Sequence, residues 1–174
     1  SKWKEQFALD QEGYEWLAGI LEFMGEEKGK RFARQLAAQK ISIRRGHTLL
    51  SQLVAAGEFS LVLDQYDHIA YRAVQSGSPT NYFFLNPIIA EVPTAVWVSK
   101  ASVRPHAAAL LMDLLLSKEI QQLLSERGRR MGHRGVSYLL NPPSAYRWLI
   151  LDGEKWGKKY AELIQFYREL FLTK

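Results

Sequence analysis

Three short apolar runs, at residues 6–9, 41–43 and 59–63, each lead within a few residues into a stretch whose apolar positions recur at helical spacing. Parallel strands need a crossover between them, and a helix is the usual one, so this alternation predicts an α/β architecture with a partly parallel sheet. After Gln6-Phe7-Ala8-Leu9, Asp10 stands where it can cap a helix carrying Trp16, Leu17, Ile20, Leu21, Phe23 and Met24, and Gly25 ends it. Glu26 and Glu27 open a second helix, their charge suited to its positive end, with Phe32, Ala33, Leu36 and Ala37 as its buried stripe. Ile41-Ser42-Ile43 alternates like a strand and turns through Arg44-Arg45-Gly46-His47-Thr48 into a helix bearing Leu49, Leu50, Leu53 and Val54. Residues 59–63 are apolar except for Ser60 and read as a central strand.

Beyond a helix reaching Gln75 and a break at Ser76-Gly77-Ser78-Pro79, Tyr82-Phe83-Phe84-Leu85 reads as a fourth strand. Residues 88–100 form another extended stretch, in which Pro93 argues for an edge, a bend or a crossover. Helices follow from Pro105 and from Ser117, then a basic loop from Arg127 to Arg134, then a hinge-like break at Asn141-Pro142-Pro143-Ser144. The last helix, over about residues 153–171, carries Trp156, Tyr160, Leu163, Ile164, Tyr167, Leu170 and Phe171 at helical spacing, a stripe expected to pack on its own domain.

Composition narrows the functional classes. At 174 residues the chain suits one domain, and no apolar run approaches the roughly 18 residues of a membrane-spanning helix, because Asp113 interrupts the longest candidate. The first residues carry no apolar core of an export signal. Zero cysteines exclude disulfides, thiolate metal sites and cysteine nucleophiles. A balance of 23 basic against 18 acidic residues, net +5, leans weakly toward anionic partners.

The most informative local arrangement is a strand ending in Arg44 and Arg45, then Gly46, then a helix opening with His47 and Thr48. Free N–H groups at a helix start form an anion site, and arginines beside it add bidentate recognition; the competing reading is a helix cap beside solvated arginines. Asp64-Gln65-Tyr66-Asp67-His68 also follows a strand's C-terminal end, where open α/β sheets hold their ligands, so both loops are expected to face one cleft. Tyr66, Asp67 and His68 mix hard oxygens with an imidazole, although adjacent residues of one helical turn diverge, which favours a capping Asp67 beside a surface His68 as the alternative. Gly25-Glu26-Glu27-Lys28-Gly29-Lys30 lacks the length and hydroxyl of a phosphate loop, and no serine elbow, zinc-protease helix or dinucleotide fingerprint occurs. Nothing calls for catalysis, a resident metal or a cofactor. Two rival classes are a small hydrolase using Asp64 or Asp67 and a nucleic-acid binder using Arg129, Arg130 and Arg134; the basic loop, lacking a base-stacking platform, reads better as solvated charge.

The ordered series Glu15-Trp16-Leu17, Met24-Gly25-Glu26-Glu27-Lys28-Gly29, Arg45-Gly46-His47-Thr48-Leu49-Leu50, Val54-Ala55-Ala56-Gly57-Glu58, Gly77-Ser78-Pro79, Asn86-Pro87 and Pro105-His106-Ala107-Ala108-Ala109 resembles the second lobe of extracellular solute-binding proteins of the ferric-iron type. The resemblance continues through Asp113, Leu115, Leu116, Ser117, Lys118, Glu119 and Gln122 and spans about residues 3–135. It implies a periplasmic or extracytoplasmic, non-enzymatic component of an ABC importer. The implied fold is a three-layer lobe with a mixed, mostly parallel sheet flanked by helices. One domain over 1–174 would comprise the second lobe at about 1–86, a hinge or return strand at about 87–100 and C-terminal helices at about 104–174. The implied partners are a small anionic solute or metal complex, a permease and a first lobe, with no nucleic acid. As a fragment or separately made lobe, the chain is expected to expose apolar surface around residues 92–98 and along the helix from Pro105, inviting a homodimer.

Carried over position by position, the resemblance implies a ligand-binding set of Arg45, Gly46, His47, Thr48, Tyr66 and Asp67. Iron-binding members place two consecutive tyrosines in the second loop. Here Tyr66 is followed by Asp67, so a ferric site is not expected, and a carboxylate, a phosphonate or an anion accompanying a metal fits the arginines better.

Overall fold

A computed structural model of the chain describes residues 4–90, 95–140 and 142–173. The chain is mixed α/β with short parallel sheets, and it divides into two compact units, Ser1–Val92 with Pro142–Lys174, and Pro93–Asn141. In chain order the first unit holds β1 (Phe7–Asp10), α1 (Tyr14–Met24), α2 (Glu26–Ala37), β2 (Ser42–Arg44), α3 (His47–Ala55), β3 (Leu61–Val62), α4 (Asp67–Gln75) and β4 (Ile88–Ala90). The second holds α5 (Pro105–Leu116) and α6 (Lys118–Ser125), after which the chain rejoins the first unit with β5 (Trp148–Ile150), α7 (Gly153–Lys158) and α8 (Tyr160–Phe171).

The central strand is β1, flanked by β2 and β3, all parallel, with Leu9 opposite Ile43, Asp10 opposite Arg44 and Ala8 opposite Val62. This corrects the expectation that residues 59–63 are central. Only Leu61 and Val62 pair, at an edge, and the apolar run is explained by Phe59, which leaves the sheet to bury itself against Leu50 and Ala8. Successive strand residues face opposite ways. Ala8 accordingly joins the cluster of Leu50 and Phe59, while Leu9 joins a larger one with Tyr14, Leu17, Leu21, Ala33 and Ile41. Into that larger cluster the C-terminal stripe contributes Trp156, Leu163, Tyr167 and Phe171, at about 1.5–3 kcal/mol per buried side chain. The stripe breaks at Lys159, which separates α7 from α8 where one helix was expected; its N–H closes the turn onto the Trp156 and Gly157 carbonyls. Asp152 caps α7 by accepting from the N–H groups of Glu154 and Lys155.

Residues 82–85, expected as a strand, make no ladder. Phe83 and Leu85 are exposed, since aromatic β-propensity stabilises a strand only where a partner edge is offered. Of the extended stretch 88–100, Ile88–Ala90 forms β4, paired in parallel with β5, a strand the sequence reading did not anticipate. Residues 95–99 are irregular, and Pro93 and Asn141 lie outside the described residues. Every described strand pair is parallel.

In the second unit Ser117 separates α5 from α6, donating to the Leu114 carbonyl and accepting from the Ile120 N–H. Leu110, Leu111, Leu114 and Leu116 of α5 are exposed, as are Val96 and Trp97; residues 92–94 of the expected apolar surface lie outside the described residues. Among the described residues no helix is long and apolar enough to cross a membrane.

Candidate functional site

Because β2, β1 and β3 run parallel, the chain leaves all three at the same edge of the sheet, through residues 11–13, 45–46 and 63–66. From β1 the chain crosses to β2 on one side, and β3 then adds on the other, the strand order beside which open α/β sheets hold their ligands. At this edge Asp10, the last residue of β1, organises what surrounds it. It was expected to cap α1, but Gly13 holds that position. The Asp10 carboxylate accepts from the Glu12 N–H at 2.8 Å and from the Gly46 N–H at 2.6 Å, and its own N–H donates to the Asp64 carboxylate at 3.1 and 3.2 Å.

Gly46 turns the chain from β2 into α3 at φ 101 and ψ 123, a region that essentially only glycine enters. The turn delivers its N–H to Asp10 and sets His47 at the helix start. The α3 terminus, expected to offer free N–H groups to a solute, therefore already spends one donor on an internal carboxylate. His47 lies between two acids, its Nδ1 3.8 Å from Asp10 Oδ2 and its Nε2 3.8 Å from Asp64 Oδ2. Its ring stacks on Tyr66, with centroids 4.0 Å apart and planes 30° apart, and Tyr66 stacks in turn with His68 at 5.7 Å. Gln65 fixes the two loops together, donating to the His47 carbonyl while accepting from the Tyr66 N–H, each at 3.0 Å. Asp67 opens α4 and accepts from the His68 N–H.

Burial lowers the His47 pKa below its ordinary value, prevailing over the opposing pull of Asp10 and of a hydrogen bond to the Asp64 backbone, with the charge of His68 a smaller push in the same direction as burial. Tyr167, fully buried in α8, donates its hydroxyl to the Asp10 carbonyl, and burial, then the Asp64 and Asp10 carboxylates, push that phenol far above its usual range.

Of the six sequence-derived site residues, the structure brings Gly46, His47, Tyr66 and Asp67 into one half-buried cluster, with Arg45 and Thr48 exposed at its margin. Arg44, counted beside Arg45 as an anion ligand, instead pairs with Glu58 and donates to the Ile43 carbonyl. No such pairing engages the Arg45 side chain among the described residues. Sequence reasoning gave Asp10 and Asp64 ordinary local roles and assigned Tyr167 none at the site. A carboxylate ending an apolar strand was the one available signal for Asp10; Tyr167 carried no local signal. The Asp64 side chain is almost wholly enclosed, that of Asp67 partly exposed. Among the described residues no three His, Asp or Glu side chains converge in a way that could hold a metal ion. In the second unit Arg129, Arg130 and Arg134 are exposed, and the Arg130 guanidinium lies 5.3 Å from the Tyr138 ring centre. Comparisons with family models, curated proteins and solved structures find no match.

Proposed function

We propose that this chain is the second lobe of an extracytoplasmic solute receptor of an ABC importer, a non-enzymatic module that helps capture a small anionic solute or an anionic metal complex. The observation that carries this reading is the meeting of the two loops that follow β2 and β3, where His47 stacks on Tyr66 beyond the strand ends. The fold expected of such a lobe, helices on both sides of a mostly parallel sheet, is supported by the opposite-facing Ala8 and Leu9 clusters. In this reading Arg45 supplies the charge, Thr48 a hydroxyl, and Tyr66 the polar tip of its phenol. Gly46, His47 and Asp67 shape the rim. A first lobe would close over this face, and differential contacts with the solute would hold the closed state until a permease receives it.

The experiment is a thermal unfolding series of the chain with phosphate, citrate and ferric citrate, repeated for Arg45→Ala. Anion-dependent stabilisation that disappears in the variant supports the reading through ligand linkage. Stabilisation that Arg45→Ala leaves intact, or none with any anion, argues against it.

A further inference from the structure

We propose that His47 is a proton-operated latch: uncharged, it lies against Tyr66; protonated, it leaves that ring and bridges the carboxylates of Asp10 and Asp64, so that acidification redraws the surface at the starts of α3 and α4. The geometry sets up two positions for one ring. Each nitrogen has its own carboxylate at 3.8 Å, beyond hydrogen-bond length, while the ring centre is 4.0 Å from that of Tyr66. A neutral imidazole owns a single N–H, and here the Asp64 backbone takes it. The other nitrogen then presents a lone pair, which gains nothing from a carboxylate, and stacking on Tyr66 is the better contact. A second proton reverses that preference. Both nitrogens become donors, and a closure of about 1 Å brings a charge-assisted bond within reach.

The surroundings make the choice two-sided. The side chains of His47, Asp10 and Asp64 are 14, 6 and 2% exposed, so little water is present to solvate either form. Asp10 of β1 favours the imidazolium, as does Asp64 beyond β3; from α4, His68 opposes it, with Asp67 beside His68. Arg44 is neutralised by Glu58, Arg45 precedes the ring in the chain, and the α8 phenol of Tyr167 reaches the Asp10 carbonyl and stays protonated. The latch belongs to these side chains whether or not the site takes an anion, so it stands apart from the transport reading.

The test is NMR of the full chain with labelled histidine, following the His47 ring nitrogens and the His47–Tyr66 ring cross-peaks from pH 8 to pH 5. The latch predicts that both nitrogens reach the protonated range in one step and that the cross-peaks fade along the same curve. Asp64→Asn should lower the midpoint by about one pH unit, and His68→Gln should raise it. Cross-peaks unchanged through the titration, a His47 still neutral at pH 5, or a midpoint indifferent to both substitutions would overturn the proposal.

Discussion

Tyr167, in the last helix, donates its hydroxyl to the main-chain carbonyl of Asp10, 157 positions earlier in the chain. Every polar group of Asp10 thereby answers to a different part of the fold. Its N–H goes to Asp64 beyond β3, its carboxylate to Gly46 before α3 and to Glu12 before α1, and its carbonyl to α8. The packing of the C-terminal stripe and the position of the candidate site are therefore mechanically linked.

Replacing Tyr167 with Phe keeps the edge-on contact with Tyr14, whose ring centre is 5.3 Å away, but removes the hydroxyl. The buried carbonyl loses its strongest partner, and the expected cost is about 1–3 kcal/mol in denaturant unfolding. The phenol also sets an alkaline limit. Its folded pKa is raised above the ordinary 10.0, so its contribution is complete below pH 10 and declines as pH rises beyond it, where the unfolded chain ionises first. The variant should lose that alkaline slope.

Gly13 and Gly46 should resist substitution for different reasons. A Cβ on Gly13 would stand 2.7 Å from Asp64 Oδ2 and 3.0 Å from the Tyr167 hydroxyl, so Gly13→Ala must push the two apart. A Cβ on Gly46 meets nothing within 4 Å, yet φ 101 strains any L side chain. Each alanine should cost about 1–3 kcal/mol. Adding Tyr167→Phe should relieve part of the first penalty and none of the second, a difference that a double-mutant cycle reads directly.

With its folded pKa below the ordinary 6.5, His47 makes the unfolded chain the better proton acceptor just under that value. Stability should hold above pH 6.5, fall as pH drops below it, and level off beneath the folded pKa. In urea unfolding between pH 7.5 and pH 5, His47→Gln should flatten this part of the profile. An unchanged slope in the variant would assign the acid sensitivity to other groups.

What the sequence made legible follows from the range of each interaction. The β1, β2 and β3 segments, the helices between them and the nearness of the residue 45–48 and 64–67 loops all follow from local period and from where parallel sheets place their loops. Edge versus centre could not be read in the same way. A run such as residues 59–63 looks alike whether its apolar residues fill both faces of a sheet or one of them, Phe59, drops into a core beside it. The strand β5 pairs with β4 across about sixty residues, and the Tyr167 bond to Asp10 spans more than twice that distance; neither leaves a local pattern. Arg44 and Arg45 were equivalent on paper. Only the fold brings Glu58 to one of them.

That asymmetry separates the two arginines in experiment. Arg44 and Glu58 are each 40% exposed, so Arg44→Ala should cost no more than about 1 kcal/mol and leave anion-dependent stabilisation unchanged, while Arg45→Ala should abolish that stabilisation. Ferric citrate should act as an anion, through Arg45, and not as a source of bare iron. Tyr66 is the one phenol in its loop, and its ring is committed to stacking with His47 and His68. Titration with ferric citrate should therefore raise the melting temperature without a visible phenolate-to-iron absorption band. A band that appears on adding iron and vanishes in Tyr66→Phe would assign the loop to metal capture and reverse the order of importance of Arg45 and Tyr66.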